Sequence, residues 1–285
     1  MFMLTNMNCR VKPIIKWAGG KSQLIHELLR FKPDDFENYY EPFLGSGSFF
    51  FALSPKKKVY LNDINPTLIN LYKLVRDYPQ FLIDKLEKYQ LEYNSKSEEE
   101  QKKLYYEKRS LYNELKHGNK ERITLFIFLN KTGFNGMYRE SSNGKYNIPF
   151  GKHKKVTLYN ENNIFLMSKA VKNSVITAKD CKSVIKTAKA NDFIYLDPPY
   201  HPITKTANFT SYSKDNFGIQ DQKDLANIAK TLSKKGCKIM ISNSESHFIR
   251  GLYKDFNFHE VKANRFINCK SDARGKINEL IITNY

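Results

Sequence analysis

The chain has 285 residues, 41% hydrophobic and 14% aromatic, enough to bury one large α/β core or a domain carrying a sizeable insertion. Forty-seven Lys and Arg against 29 Asp and Glu leave a formal charge of +18, which points to a polyanionic partner, with nucleic acid ahead of an anionic membrane surface. No apolar span long enough to cross a bilayer and no signal peptide with a long apolar core is found, so a cytoplasmic setting is expected.

Residues 1–12 carry no committed pattern. Lys16-Trp17-Ala18-Gly19-Gly20-Lys21-Ser22 follows, with the only Trp of the chain between two lysines. Leu24, Ile25, Leu28 and Leu29 then fall on one helical face, and Ser22 is expected to cap that helix. Gly-Gly-Lys-Ser looks like the end of a P-loop, but Ile15 stands where the first glycine is required. Tyr39-Tyr40-Glu41 reads as a short strand, and Phe43-x-Gly45-x-Gly47 as a glycine turn before the buried helical run Phe49–Leu53. The third glycine of the dinucleotide fingerprint is missing, and a plain turn is the competing reading. Val59 to Asn62 reads as a second strand, closed by Asp63. A glycine loop followed by an acid ending the next strand suits a nucleoside cofactor, with the carboxylate on the ribose hydroxyls.

From about residue 76 the character changes. Ten basic and nine acidic residues lie between Asp84 and Arg122, a near-balance that describes solvated helix faces. Ile123 to Leu129 is an apolar helical segment suited to packing this stretch on a core. Between Lys131 and Lys155 the balance tips to six basic residues and one acid. These are interleaved with Phe134, Asn135, Gly136, Met137, Tyr138, Arg139, Gly144, Tyr146 and Pro149. Arginine for guanine edges and aromatics to wedge or stack are what a groove-reading surface needs. The bland alternative is a flexible basic loop.

Phe193-Ile194-Tyr195-Leu196 reads as a buried strand running into Asp197-Pro198-Pro199-Tyr200. Two prolines can continue neither a ladder nor a helix, so the segment is a rigid extended loop at the strand's carboxyl end. The Asp197 carboxylate and the Pro198 carbonyl can each accept an N–H from an exocyclic amine, and Tyr200 can stack on the ring that bears it. A surface turn is the structural alternative for so short a motif. Thr206 to Tyr212 is a candidate wall around a flipped base. Leu225–Leu232 reads as a helix, Cys237–Ser242 as a strand, and Val261 and Leu280–Ile282 as closing strands. Arg265, Lys270, Arg274 and Lys276 between the last two are candidate phosphate contacts. Cys9, Cys181, Cys237 and Cys269 form no CxxC pair, and none follows a proline, so neither a metal or disulfide framework nor a thiol nucleophile is expected.

Taken in order, Lys16–Lys21, Glu41-Pro42-Phe43-x-Gly45-x-Gly47, Asp63-Ile64-Asn65, Asn130-x-x-Gly133-Phe134-Asn135-Gly136, Asn147-x-Pro149-Phe150-Gly151, Asp197–Tyr200 and Thr206–Thr210 closely resemble the Dam-type DNA adenine-N6 methyltransferases over nearly the whole chain. The resemblance implies an α/β fold: a Rossmann-like class I methyltransferase sheet with helices on both faces. It implies a catalytic domain over residues 10–75 and 166–285 that binds S-adenosyl-L-methionine, releases S-adenosyl-L-homocysteine and uses no metal. A mainly helical target-recognition insertion would occupy residues 76–165.

By position, the resemblance assigns catalysis to Asp197, Pro198, Pro199 and Tyr200. It assigns the cofactor to Trp17, Lys21, Asp63 and Asp197, with Glu41, Phe43, Gly45 and Gly47 beside it. Duplex contact falls to Lys16 and Arg139 at the G·C pair, to Phe134 as the inserted aromatic, and to Asn135, Met137 and Pro149. Phe134 and Met137 stand where Tyr and Leu also occur in relatives, both changes keeping an apolar wedge. The implied reaction is methylation of a flipped adenine in double-stranded DNA at GATC, in a bacterial or phage-infected cell at the nucleoid. A cognate restriction endonuclease is a candidate partner. A cytosine-N4 enzyme commonly carries Ser at position 197, and glutamine- and many RNA-directed relatives carry Asn. A catalytically silent DNA-binding homologue is the reading from another class.

Overall fold

The computed structural model describes residues 11–202, 217–264 and 276–285. Cys9, Cys269, the 206–212 segment and Arg265, Lys270 and Arg274 lie outside the described residues.

Seven strands build one sheet: β1 (Tyr39–Glu41), β2 (Val59–Asn62), β3 (Val175–Thr177), β4 (Phe193–Leu196), β5 (Lys238–Ser244), β6 (Asn257–Asn264) and β7 (Lys276–Thr283). Their order across the sheet is β3-β2-β1-β4-β5-β7-β6. All neighbours are parallel except β7, which runs antiparallel between β5 and β6. Strand order therefore reverses between β1 and β4, the switch point outside whose carboxyl ends open α/β sheets form their ligand crevice. The period-2 rule sorts the sheet's side chains between two apolar clusters. Tyr39, Phe193 and Tyr195 join one, while Tyr40, Ile194 and Leu196 join the other.

The second face is covered by α8 (Cys181–Ile185), α9 (Ile219–Lys234) and α10 (His247–Leu252). On the first lie α1 (Ile25–Arg30), α2 (Ser48–Leu53), α3 (Pro66–Asp77) and α7 (Glu161–Val171). The charged stretch forms α4 (Pro79–Asn94) and α5 (Glu98–Glu114), the latter opened by a capping box between Ser97 and Glu100. Both pack on α6 (Lys120–Thr132), where every residue from Arg122 to Asn130 is buried. A helix apolar all round is a core helix, and one continuous apolar cluster joins it to the sheet.

Two local expectations differ from the structure. Ser22 is not the cap of α1: the helix begins at Ile25 after Leu24, and the exposed Ser22 hydroxyl pairs with Ser48. The glycine-rich entry makes a turn first, with Gly20 N–H on the Trp17 carbonyl and Leu24 N–H on that of Lys21. Strand β3 carried no recognised signal, because it is three residues long at the sheet edge with Val175 exposed.

Phe128 sits fully buried in α6 between the rings of Tyr89 and Tyr93, at 5.7 and 5.9 Å between centroids. Phe128→Ala is expected to cost about 3–5 kcal/mol. Urea unfolding should show the loss as a lower midpoint at unchanged slope.

Candidate active site

The glycine loop leaving β1 is strapped to the end of β2. Leu44 N–H donates to the Asn62 carbonyl (2.9 Å) and Asn62 Nδ2 to the Pro42 carbonyl (3.1 Å). Gly45 adopts φ +49°, and a Cβ there would stand 3.1 Å from Trp17 Cδ1. The close approach of Trp17 and the left-handed backbone together require glycine. Asp63 completes the loop: Oδ2 accepts Gly45 N–H and Oδ1 accepts Asn65 N–H, both at 2.9 Å. Burial raises the Asp63 pKa to about 6, against the pull of those two N–H groups. Each carboxylate oxygen retains capacity for a further hydrogen bond. Phe43 turns to the other side of the loop, edge-on to Phe217 at 5.8 Å.

The acidic end of β4 lies on the other side of the switch. Lys21 Nζ contacts Asp197 Oδ2 at 2.9 Å, donates to the Gly19 carbonyl at 2.6 Å, and stands 4.7 Å from the centre of the Tyr200 ring. Asp197 Oδ1 is buried and has no hydrogen-bond partner among the described residues. Burial raises the Asp197 pKa to about 6; the Lys21 ammonium pulls it down and Glu279 pushes it up. The Pro-Pro-Tyr segment is tied from outside. Gln222 Nε2 donates to the Pro199 carbonyl (2.8 Å), His201 N–H to Asn243 Oδ1 (3.2 Å), and Ser244 Oγ to the His201 carbonyl (2.7 Å). Pro198 is buried and Pro199 exposed.

Beneath both halves lies Glu41, 2% exposed, accepting from Tyr39 Oη at 2.6 Å. Burial drives its pKa to about 8; the Tyr39 hydrogen bond opposes the rise and the Asp197 charge adds to it. Lys21, Glu41, Asp197 and Tyr200 thus form one electrostatic unit, and Trp17, Gly45, Gly47 and Asp63 build the loop at the neighbouring strand ends. Among the described residues, no group of three or more His, Cys, Asp or Glu is placed to hold a metal ion.

A second surface adjoins this crevice. After α6 the chain makes a 3-10 turn at Phe134–Gly136, with Asn135 at φ +54°. The buried Asn130 side chain holds this turn against the entry segment. Its Oδ1 accepts Lys16 N–H (2.9 Å), and its Nδ2 donates to the carbonyls of Lys16 (2.9 Å) and Gly136 (2.8 Å). A Cβ on Gly136 would lie 2.6 Å from Lys16 Cδ. Phe134 N–H donates to the Pro149 carbonyl, and Arg139 Nε to Asn147 Oδ1 at 2.8 Å. Lys16, Phe134, Asn135, Arg139 and Pro149 are exposed and Met137 half-buried. Helix α5 fixes the 139–148 loop with Tyr105 and Arg109 on the Ile148 carbonyl, and with Asn113 on both backbone groups of Tyr146. Trp17 connects the two surfaces, its ring 5.2 Å from that of Tyr138.

The supporting residues Tyr39, Asn62, Gln222, Asn243, Glu279, Arg109 and Asn113 were not singled out from sequence. Polar Asn62 and Asn243 closing apolar strands were a usable signal; the others had none.

A model of the D12 class of N6 adenine-specific DNA methyltransferases matches residues 17–267. The chain belongs to that family. This D12-class methyltransferase is 41% identical over 287 residues to the type II methyltransferase M.MjaIII of Methanocaldococcus jannaschii, covering 96% of the chain and 99% of the relative. It is 37% identical to the type II methyltransferase M1.LlaDCHI of Lactococcus lactis subsp. cremoris, over 100% of the chain and 99% of the relative. It is 35% identical to a DNA adenine methylase of Vibrio cholerae, over 95% of each chain.

Glu41 gives the D12 site a pH signature. Its folded pKa of about 8 lies above the unfolded carboxylate value, so the native state binds the extra proton and stability falls as pH rises from about 4.5 to 8. Glu41→Gln keeps an acceptor for Tyr39 and removes the titration. Urea midpoints between pH 5 and 8 are expected to fall more steeply for the wild type than for the variant.

Proposed function

We propose that this D12-class enzyme methylates N6 of an adenine rotated out of duplex DNA, at GATC, with S-adenosylmethionine as donor. The observation that carries the reading is Asp197: a buried carboxylate at the switch point, one oxygen paired with Lys21 and the other without a partner, beside Tyr200. An orphaned buried acceptor next to an aromatic face suits an amine on a planar ring.

The crevice fits the donor chemically. Asp63 has lone pairs left for ribose hydroxyls, Lys21 offers an ammonium for a carboxylate, and Trp17 with the backbone of the Phe43–Gly47 loop lies between them. S-adenosylmethionine, when bound, supplies a methyl group already activated on a sulfonium. The adenine amine is a weak nucleophile because its lone pair is delocalised into the ring. Asp197 Oδ1 and the Pro198 carbonyl accept its two N–H bonds and stabilise the positive charge that develops on nitrogen, an electrostatic role. Tyr200 holds the ring in one orientation, the proximity term. With a pKa of about 6, Asp197 is ionised at neutral pH and available as acceptor.

We assign target recognition to residues 76–165 and catalysis to residues 10–75 and 166–285. Rotating the adenine out costs a few kcal/mol, offset by the basic, aromatic surface around Lys16, Phe134, Asn135, Met137, Arg139 and Pro149. Half-exposed Phe134, on its rigid turn, has the shape of a wedge. Arg139 uses Nε on Asn147, which leaves its two Nη groups for the O6 and N7 acceptors of guanine. GATC itself rests on the resemblance to Dam-type enzymes and on relatives named DNA adenine methylase. The type II names of two relatives favour a cognate restriction endonuclease as partner. A DNA substrate places the work in the cytoplasm at the nucleoid.

The test is transfer of tritiated methyl from S-adenosylmethionine to GATC and scrambled duplexes, with the labelled nucleoside identified. N6-methyladenine is expected in the GATC duplex alone. Equal labelling of both would remove the GATC assignment, label in cytosine would move the enzyme to the N4 class, and tight DNA binding without transfer would make it a silent homologue. Asp197→Ala is expected to lower kcat by about 10²–10³-fold with DNA affinity retained. Rates should also fall below about pH 6 as Asp197 gains its proton. Arg139→Ala should cost about 1–3 kcal/mol of discrimination at one base pair, read as the ratio of kcat/KM on cognate and single-substitution duplexes.

A further inference from the structure

Glu279 stands in β7, directly before Leu280, Ile281 and Ile282, all at most 1% exposed. It is paired in register with Ser244 at the end of β5. By the alternation of the strand it faces the same side of the sheet as Ile281, the side on which Tyr195 of β4 also lies. That is the side reached by Asp197, two residues further along. An acid in the middle of a strand, next to a buried apolar run, needs a partner, and this one has it: Tyr200 Oη donates to Glu279 Oε2 at 2.7 Å. A phenol on a carboxylate at that distance is a charge-assisted hydrogen bond, among the stronger kinds.

The geometry of the loop explains what that bond does. The backbone on both sides of Tyr200 is held by Gln222, Asn243 and Ser244, and Asn243 Nδ2 is itself bonded to Gln222 Oε1 at 3.1 Å. These contacts fix where the side chain starts and leave its two torsions free. The bond to Glu279 fixes where it ends. A ring held at both ends presents one face in one orientation, with the Lys21 ammonium 4.7 Å from its centre. Burial, followed by the charges of Asp197 and Glu279, keeps the Tyr200 hydroxyl in its protonated, donating form.

We propose that Glu279 is a positioning residue for methyl transfer, acting through the Tyr200 hydroxyl to hold the ring on which the target base stacks. The inference rests on the adenine-methylating reading above and assigns Glu279 no contact with DNA or donor.

The test is single-turnover methyl transfer to a GATC duplex by the wild type, Glu279→Ala, Glu279→Gln, Tyr200→Phe and the double variant Glu279→Ala/Tyr200→Phe. Thermal melting and DNA affinity are measured on each. Glu279→Ala is expected to slow the turnover by about tenfold, the scale of a small misplacement, with DNA affinity unchanged. Glu279→Gln, which keeps an acceptor oxygen, should restore the rate to within about threefold. The double variant should be no slower than Tyr200→Phe alone, because the bond is already lost. Additive losses in the double variant, or Glu279→Gln as slow as Glu279→Ala, would overturn the proposal. If Glu279→Ala does not fold, the Gln variant and Tyr200→Phe still decide: normal turnover by Tyr200→Phe would show that the bond does not matter. No transfer by the wild type would sink the proposed function itself, whereas transfer with additive losses would sink this inference alone.

Discussion

The site depends on one ion pair at the carboxyl end of β4, the central strand of the sheet. Asp197 and Lys21 meet at 2.9 Å with side chains 17% and 9% exposed. A carboxylate this enclosed loses most of its hydration, and burial alone would favour its neutral form. Lys21 counters that effect on one oxygen and leaves the other free to accept. The pair is possible only because two distant segments converge: the glycine-rich turn before α1 delivers the lysine, and β4 delivers the acid. Reversal of strand order between β1 and β4 opens the space between them. The same reversal sets the Gly45 loop and Asp63 on the other side of the switch, so the proposed cofactor and target chemistry share one crevice.

The recognition surface is built on the opposite principle. Its residues are exposed, and its rigidity comes from underneath. Loops leave many backbone groups without a ladder partner, and here side chains from α4, α5 and α6 supply part of what is missing. Asn94 exchanges two hydrogen bonds with Val156, Asn113 two with Tyr146, and Asn130 makes three to Lys16 and Gly136. The near-balanced charge of α4 and α5 covers their outer faces, while their inner faces carry this set of amides and phenols. Asn130 also fixes the position of Lys16 relative to Phe134. Trp17, one residue on, lies between Gly45 and Tyr138, so the segment proposed to meet DNA is continuous with the one beside the Gly45 loop.

The parts legible in the sequence were those written by local rules. Apolar runs marked β4 and β5, the prolines marked the loop after β4, and the uninterrupted apolar stretch from Ile123 marked a core helix. Gly45 was legible because its left-handed backbone leaves few other choices. Local rules also misled: Ser22 has the chemistry of a cap, but the turns at Gly20 and Leu24 delay the helix. Partners far apart in the chain left no signal. Glu279 is 79 residues from Tyr200 and Asn113 is 33 from Tyr146, and their identity alone reads as ordinary surface polarity. The family resemblance supplied what periodicity could not, by naming residues whose neighbours only the fold brings together.

Three carboxylates in one crevice, Glu41, Asp63 and Asp197, all have pKa values raised by burial. Each is harder to ionise in the fold than in the unfolded chain, so each reduces the stability of the native state at neutral pH. A fold selected for stability alone would fill these positions with apolar residues or open them to water. The apolar clusters on the two sheet faces, with the rings of Tyr39, Phe49, Phe193 and Tyr195 packed edge-on and tilted against one another behind the site, offset that cost. They also create it, because the same aromatic wall dehydrates the acids. Local rules are most often broken where function requires it. In this chain the breaks concentrate at the carboxyl ends of β1, β2 and β4, where the chemistry of the crevice is assigned.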